Sequence, residues 1–294
     1  MTRRPRSARG RWLLGAACVL PAALLVARLR AASHSDGAAL DTFDIRKEAA
    51  AQVRLPRALR EISGLAVSAD GRVFAHGDER GIIYQLDYRT GAVIKAFSLG
   101  MPPVPGDFEG IAIVGPRFFL VTSTGRLYET REGADGAAVP YEVSHTGLGA
   151  KCELEGLAYD PTDQALVVGC KRPSARALRD AVTLFRLRVD RRATAALPDV
   201  SIPIASAVRE TGDKAFHPSA VEREPRTGNY VIVAGPQRAI IEVTPAGEVV
   251  AARSLPRSLH RQPEGLTFLG DSAILVADEG GNGAGTLTLY PRVR

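Results

Sequence analysis

Apolar residues in this chain come in short runs closed by Gly-, Asp- and Pro-containing turns, and several runs open with nearly the same polar-to-small phrase. The copies are Glu61-Ile-Ser-Gly-Leu-Ala66, Asp107-Phe-Glu-Gly-Ile-Ala112, Glu153-Leu-Glu-Gly-Leu-Ala158, His217-Pro-Ser-Ala-Val-Glu222 and Gln262-Pro-Glu-Gly-Leu-Thr267. The central small residue recurs at Gly64, Gly110, Gly156, Ala220 and Gly265, in steps of 46, 46, 64 and 45 residues. Periods of this length that carry several short strands each indicate propeller blades.

Two repeats resolve into four strands. In the first, Ile62–Val67, Arg72–His76, Ile82–Tyr88 and Ala92–Leu99 are separated by turns at Ser68-Ala-Asp-Gly71 and Arg89-Thr-Gly91. In the fourth, the strands are Ala220–Arg223, Tyr230–Ala234, Ala239–Val243 and Val249–Leu255. β-Branched and aromatic runs bounded by such turns are strand and hairpin signals, and a four-stranded meander is one blade. The last repeat supplies only Gly265–Leu269, Ala273–Ala277 and Thr286–Pro291, while Ala50–Leu55 lies unclaimed upstream. The expected fold is therefore all-β: five four-stranded blades, the fifth completed by the N-terminal strand, which closes the ring and hides an edge. The extra residues of the 64-residue step are expected as surface loops at Lys171–Asp180 and near Arg209–Phe216, with a sixth, degenerate blade as the alternative.

In an antiparallel blade, the start of the innermost strand and the end of the second lie at the same end, so both sets of residues converge on one channel mouth. Three positions before the small residue stand Glu61, Asp107, Glu153, His217 and Gln262. One position before it stand Ser63, Glu109, Glu155, Ser219 and Glu264. Residues two apart on a strand share a face, so each blade is expected to present a polar pair. Asp78 and Glu79, Lys171, and Asp278 and Glu279 end second strands, and the two Asp-Glu pairs should be neighbours across the closure. Carboxylates crowded together repel unless something neutralises them, and calcium tolerates irregular oxygen geometry. Glu109, Glu155, Glu264, Asp78 and Asp278 are thus candidate metal ligands; Glu61, Asp107, Glu153, His217, Gln262 and Lys171 are candidate contacts to a small ligand. A structural reading stands beside this one, because glutamates next to tight Gly-Leu turns often bond backbone N–H groups.

Motifs for other chemistry are absent: no Gly-x-Ser-x-Gly elbow, Walker loop, His-Glu-x-x-His or Cys-x-x-Cys. Cys152 precedes one strand and Cys170 ends the next, joined through Asp160-Pro-Thr-Asp163. That register places Cys170 opposite residue 152 or 154, compatible with a disulfide in an exported body.

Charge changes the picture at one end only. Residues 1–30 hold seven arginines and no acid, so the formal net charge of +6 belongs to this leader and the remainder is close to neutral. Nothing in the body argues for nucleic-acid binding. Five arginines precede the apolar run Trp12–Ala27, about 24 Å as a helix at ~1.5 Å per residue. Arginine excess on the amino side keeps that end cytoplasmic and sends the body across the membrane. Residues 1–32 are expected to be a signal-anchor or a cleaved signal peptide, 33–41 a linker and 42–294 the propeller. The expected location is the inner membrane, with the body in the periplasm.

The segments Leu55-Pro-Arg-Ala-Leu-Arg-Glu-Ile-Ser-Gly-Leu-Ala66, Gly106-Asp-Phe-Glu-Gly-Ile-Ala112, Glu155-Gly-Leu-Ala158 with Cys170-Lys171, Phe216-His-Pro-Ser-Ala220, and Gln262-Pro-Glu-Gly265 with Asp278-Glu-Gly280 carry a family likeness. With them the chain resembles the SdiA-regulated (YjiK-like) family of bacterial envelope propellers. The resemblance implies a β-propeller behind an N-terminal membrane segment, distantly akin to calcium-binding, esterase-like phytase propellers. The functional expectation is a tethered module that binds a metal ion, calcium favoured, or a small ligand or envelope partner at the carboxylate mouth. The alternative is a calcium-dependent hydrolase of phosphate esters or lactones.

Overall fold

A computed structural model describes residues 37–189, 194–209 and 211–293. The expected membrane segment, residues 1–32, lies outside them; among the described residues no helix is long and apolar enough to cross a membrane.

The first strand, β1 (Ala51–Arg54), pairs not with its sequence neighbour but with the last strand of the chain. Blade one then follows in order as β2 (Ile62–Val67), β3 (Val73–Gly77), β4 (Ile82–Leu86) and β5 (Val93–Leu99). Blade two is β6 (Phe108–Val114), β7 (Arg117–Thr122) and β8 (Arg126–Arg131); after the two-residue β9 (Ala138–Val139) it ends on β10 (Tyr141–His145). Blade three is β11 (Cys152–Asp160), β12 (Ala165–Pro173), β13 (Ala181–Val189) and β14 (Thr194–Pro203). Blade four is β15 (Ala220–Arg223), β16 (Tyr230–Ala234), β17 (Ala239–Val243) and β18 (Val249–Ser254). Blade five is β19 (Pro263–Leu269), β20 (Ala273–Asp278) and β21 (Thr286–Pro291), completed by β1 with Ala51 opposite Leu289 and Arg54 opposite Thr286. The closure expected from the sequence is present.

The repeat needs its small residue because the inner strands meet there. A Cβ on Gly110 would sit 2.5 Å from the Leu157 nitrogen, and one on Gly156 would sit 2.7 Å from the Val221 nitrogen. A Cβ on Gly265 would lie 3.0 Å from Leu65 Cγ and 3.4 Å from the Gly64 carbonyl carbon. Around the axis, each blade's small residue is thus the contact surface for the next inner strand, and side chains there would force the ring open. Between blades the cores are aliphatic and aromatic; Phe74, Phe97 and Phe118, for example, pack edge to face at the boundary of blades one and two.

Two expectations are corrected. Lys171–Asp180 is not all loop: β12 runs through Pro173, and only then does a 3₁₀ turn, Arg176–Leu178, lead into β13. The described residues from Val208 to Ser219 form no strand, as expected near Arg209–Phe216, and the rest of the extra length goes into the nine- and ten-residue strands of blade three and a helical turn at Ile204–Ala207, so no sixth blade exists among the described residues. β9, which the sequence reading missed, pairs in parallel with β5 and widens blade one.

The N-terminal segment is a clasp. A 3₁₀ turn at Ala39–Thr42 docks on blade four, where the Leu40 amide donates to Glu242 Oε2 at 2.9 Å; Asn229 Nδ2 donates to the other oxygen at 2.7 Å. Phe43 then packs on Phe268 of blade five with ring centroids 5.9 Å apart. Burying the Glu242 carboxylate is tolerated because both oxygens receive donors.

Candidate functional site

The polar phrase builds its site through bulges. Pairing of β2 with β3 skips Ser63, that of β6 with β7 skips Glu109, and that of β19 with β20 skips Glu264. In blade three the skipped residue is Gly156, at φ +70°. A bulge leaves the extra residue outside the ladder and re-aims its side chain. In blades one, two and five the two polar positions of the phrase therefore do not share a face as simple alternation predicts, and around the ring the phrase supplies an inner set and an outer set.

The inner set divides by chemistry. Ser63 Oγ donates to Glu109 Oε2 at 2.8 Å, joining blade one to blade two. Ser219 Oγ donates to the Pro263 carbonyl at 2.6 Å and accepts from the Gly235 amide at 3.0 Å, joining blade four to blade five. The three glutamates do something else. Lys171, at the end of β12, pairs through Nζ with Glu155 Oε1, and its ammonium also feels Glu264 and Glu109. Glu155 and Glu264 are buried and Glu109 half-buried. Burial pushes all three carboxyls above their ordinary range; for Glu155 the neighbouring Glu109 and Glu264 add to the rise, with Lys171 opposing. Glu155 Oε2 and Glu264 Oε2 are buried and accept no hydrogen bond from the described residues.

The outer set makes rim contacts. Glu61 pairs with Arg60 at 2.6 Å, and Glu153 with Arg172 at 2.9 Å. Asp107 accepts from Ser123 Oγ, and Gln262 Nε2 donates to Glu279 Oε2. His217 has a more specific place: its Nδ1 lies 3.0 Å from the carbonyl oxygen of Lys171, and its amide donates to Gln237 Oε1 at 3.1 Å. A carbonyl only accepts, so Nδ1 carries the proton and Nε2 is left as an acceptor. His217 thereby fixes the backbone from which Lys171 projects.

The two closing Asp-Glu pairs separate in role. Glu279 is pushed up to about 7, by burial first and then by Glu264, Asp78 and Glu61, which ties blade five's end to that of blade one as expected. Asp278, by contrast, turns away into the blade. It receives the Gln262 amide at 3.1 Å on Oδ1 and His260 Nδ1 at 2.7 Å on Oδ2, while His260 Nε2 meets the Tyr290 hydroxyl at 2.7 Å. All three side chains are buried. Asp278 is therefore corrected from candidate metal ligand to core acceptor, and the sequence held a clue only in His260, which the repeat does not index.

The calcium expectation meets the same test. Of the five carboxylates expected to share an ion, Asp278 is bonded to His260 and the Gln262 amide, Asp78 lines the rim of blade one, and Lys171 supplies the positive charge among the remaining three. Among the described residues, no three His, Cys, Asp or Glu side chains are placed to hold one metal ion. The donor set does not fit calcium.

Beside this cluster, Cys152 and Cys170 form a disulfide with Cα atoms 5.7 Å apart. Cys170 lies opposite Leu154, and a second bulge at Glu153/Leu154 brings Cys152 within reach. The bridge ties together the two strands that carry Glu155 and Lys171.

Fold and inner ring together define a five-bladed β-propeller closed by its N-terminal strand, with an acid-and-lysine mouth. Residues 41–279 match the SdiA-regulated family, and the chain belongs to that family. No curated protein matches it in sequence. Among solved structures, glutaminyl cyclase of Myxococcus xanthus is similar over 83% of this chain and 97% of its own, at 15% identity and a TM-score of 0.55. A catalytically inactive virginiamycin B lyase of Staphylococcus aureus covers 83% of this chain and 99% of its own, at 11% identity and a TM-score of 0.48. At such identities the first likeness establishes fold alone.

Proposed function

We propose that this protein is an exported binding module whose channel mouth holds a small ligand rich in hydrogen-bond donors, an amine or a polyol. The observation that carries the reading is the pair of buried, unpartnered oxygens, Glu155 Oε2 and Glu264 Oε2, beside Lys171. A buried acceptor left bare costs about 1–3 kcal/mol, so a site that keeps two of them gains from a donor-bearing guest. The carboxyl of Glu109 adds a further polar group at the same mouth. Export is supported by the arginine-led apolar leader and by the disulfide, a bond that persists in oxidising compartments.

The hydrolase reading asks for a metal with an open water position, and no observation favours it. Thermal unfolding of the full chain with ethanolamine or with calcium chloride tests the proposal. Ethanolamine is expected to raise the midpoint of the wild type and not of Glu264→Gln. A rise with calcium alone, abolished by Glu264→Gln, would replace the proposal with the metal site; no rise with either overturns the mouth as a ligand site.

A further inference from the structure

Blade one carries a second site on the same face. The 3₁₀ turn Arg57–Leu59 and the β3–β4 connection enclose a cleft of about 260 Å³. Its walls carry three arginines, Arg57, Arg60 and Arg80, and three acids, Glu61, Asp78 and Glu79, with Tyr84 beside them. Opposite charges this close normally neutralise one another, yet only Arg60 and Glu61 pair here, at 2.6 Å. Arg57 and Arg80 make no ion pair or side-chain hydrogen bond among the described residues. On the acidic side, Asp78 Oδ1 is buried and receives no donor. Burial holds the Asp78 carboxyl above its ordinary range, with Glu61 and Glu79 adding to the rise and the backbone amides of Asp78 and Glu79 opposing it. The cleft therefore holds two guanidinium groups without an ion pair and a carboxylate with one bare oxygen inside one small volume.

We infer that this cleft binds a zwitterion, a free amino acid or the end of a peptide chain carrying an amine and a carboxylate. The planar fork of Arg57 or Arg80 receives the carboxylate, for which a guanidinium offers parallel N–H donors. Asp78 Oδ1 receives the ammonium, which restores both its missing hydrogen bond and its missing counter-charge. No bond is made or broken. The site goes beyond the proposed function, using none of Glu109, Glu155, Glu264 or Lys171, although Glu279 senses both regions through Glu264 on one side and Asp78 on the other.

The test titrates the full chain with glycine, glycinamide and N-acetylglycine, which carry both charges, only the cation and only the anion. Binding of glycine at least about tenfold tighter than either half is expected, the worth of one added charge-assisted hydrogen bond. All three arginine side chains project from exposed residues, so Arg57→Ala/Arg80→Ala should fold as the wild type does. In that variant the preference for glycine over glycinamide should vanish, whereas in Glu264→Gln it should remain. Equal affinity for all three probes, or no binding in the millimolar range, overturns the zwitterion site. Loss of the preference in Glu264→Gln alone would assign glycine to the central mouth and likewise overturn it.

Discussion

Lys171 and Glu155 are ion-paired across the innermost hairpin of blade three, 16 residues apart in sequence and next to the Cys152–Cys170 bridge. Their side chains are 15% and 2% exposed, so the pair is desolvated as well as close. A buried pair is poor evidence of net stabilisation, yet removing one partner strands the other.

Lys171→Met should therefore destabilise the protein in a pH-dependent way. With the ammonium gone, Glu155, Glu109 and Glu264 have only protonation to relieve their repulsion. The loss should reach the order of 3–5 kcal/mol near pH 10 and shrink toward pH 6, below the raised values of about 8 at Glu109 and about 10 at Glu155, where the carboxyls hold protons with or without the lysine. Denaturant unfolding of both proteins at the two pH values measures it. An equal loss at both would show that Lys171 packs by its methylenes and does not neutralise the cluster.

Glu279 makes a separate contribution to pH dependence. Its folded value of about 7 stands above the ordinary carboxyl value of about 4.3 in the unfolded chain. The folded state then holds an extra proton between those two values, so this contribution is full below about pH 4.3 and disappears as pH rises through about 7. Glu279→Gln should flatten the decline of melting temperature across that window. A variant whose profile stays parallel to the wild type would remove Glu279 from the coupled mouth.

Much of this architecture was legible because its cause is local. Asp-Gly, Thr-Gly and Pro-Ala-Gly turns end the strands of blades one and four where the pattern placed them, and Ala220–Arg223, Tyr230–Ala234 and Ala239–Val243 agree residue for residue. The ring closure followed from counting strands. The inner site is half legible: the repeat phrase points to Glu109, Glu155 and Glu264 and the strand end to Lys171, but only the fold shows that the lysine itself is the cation among the three carboxyls. Bulges hid the rest. Glu264 and Pro263 do not alternate as their spacing implies, because Glu264 drops out of the ladder. The role of Asp278 was hidden because its partner His260 lies 18 residues away, and Tyr290, which holds the other face of that ring, lies 30 residues from His260, so the chain assembles only once blade five has folded. The cleft on blade one escaped because it depends on which arginines remain unpaired, a property of geometry and not of spacing.

The Asp278–His260–Tyr290 chain gives the sharpest separation of architecture from ligand binding. Asp278 only accepts when ionised, so His260 Nδ1 carries a proton, and in the neutral ring Nε2 accepts from the Tyr290 hydroxyl. Tyr290→Phe removes that donor and leaves Nε2 buried and bare, a cost of about 1–3 kcal/mol. For a domain of this size, each kcal/mol lowers the melting temperature by about 2–4 °C. Asp278→Asn should destabilise for the same reason, since an amide presents one acceptor where the carboxylate used both oxygens. Both losses should be the same with and without calcium, and neither variant should change the response to ethanolamine. Were Asp278→Asn instead to leave stability intact in calcium-free buffer while abolishing a calcium-dependent gain, Asp278 would be a metal ligand after all, and its bond to His260 incidental.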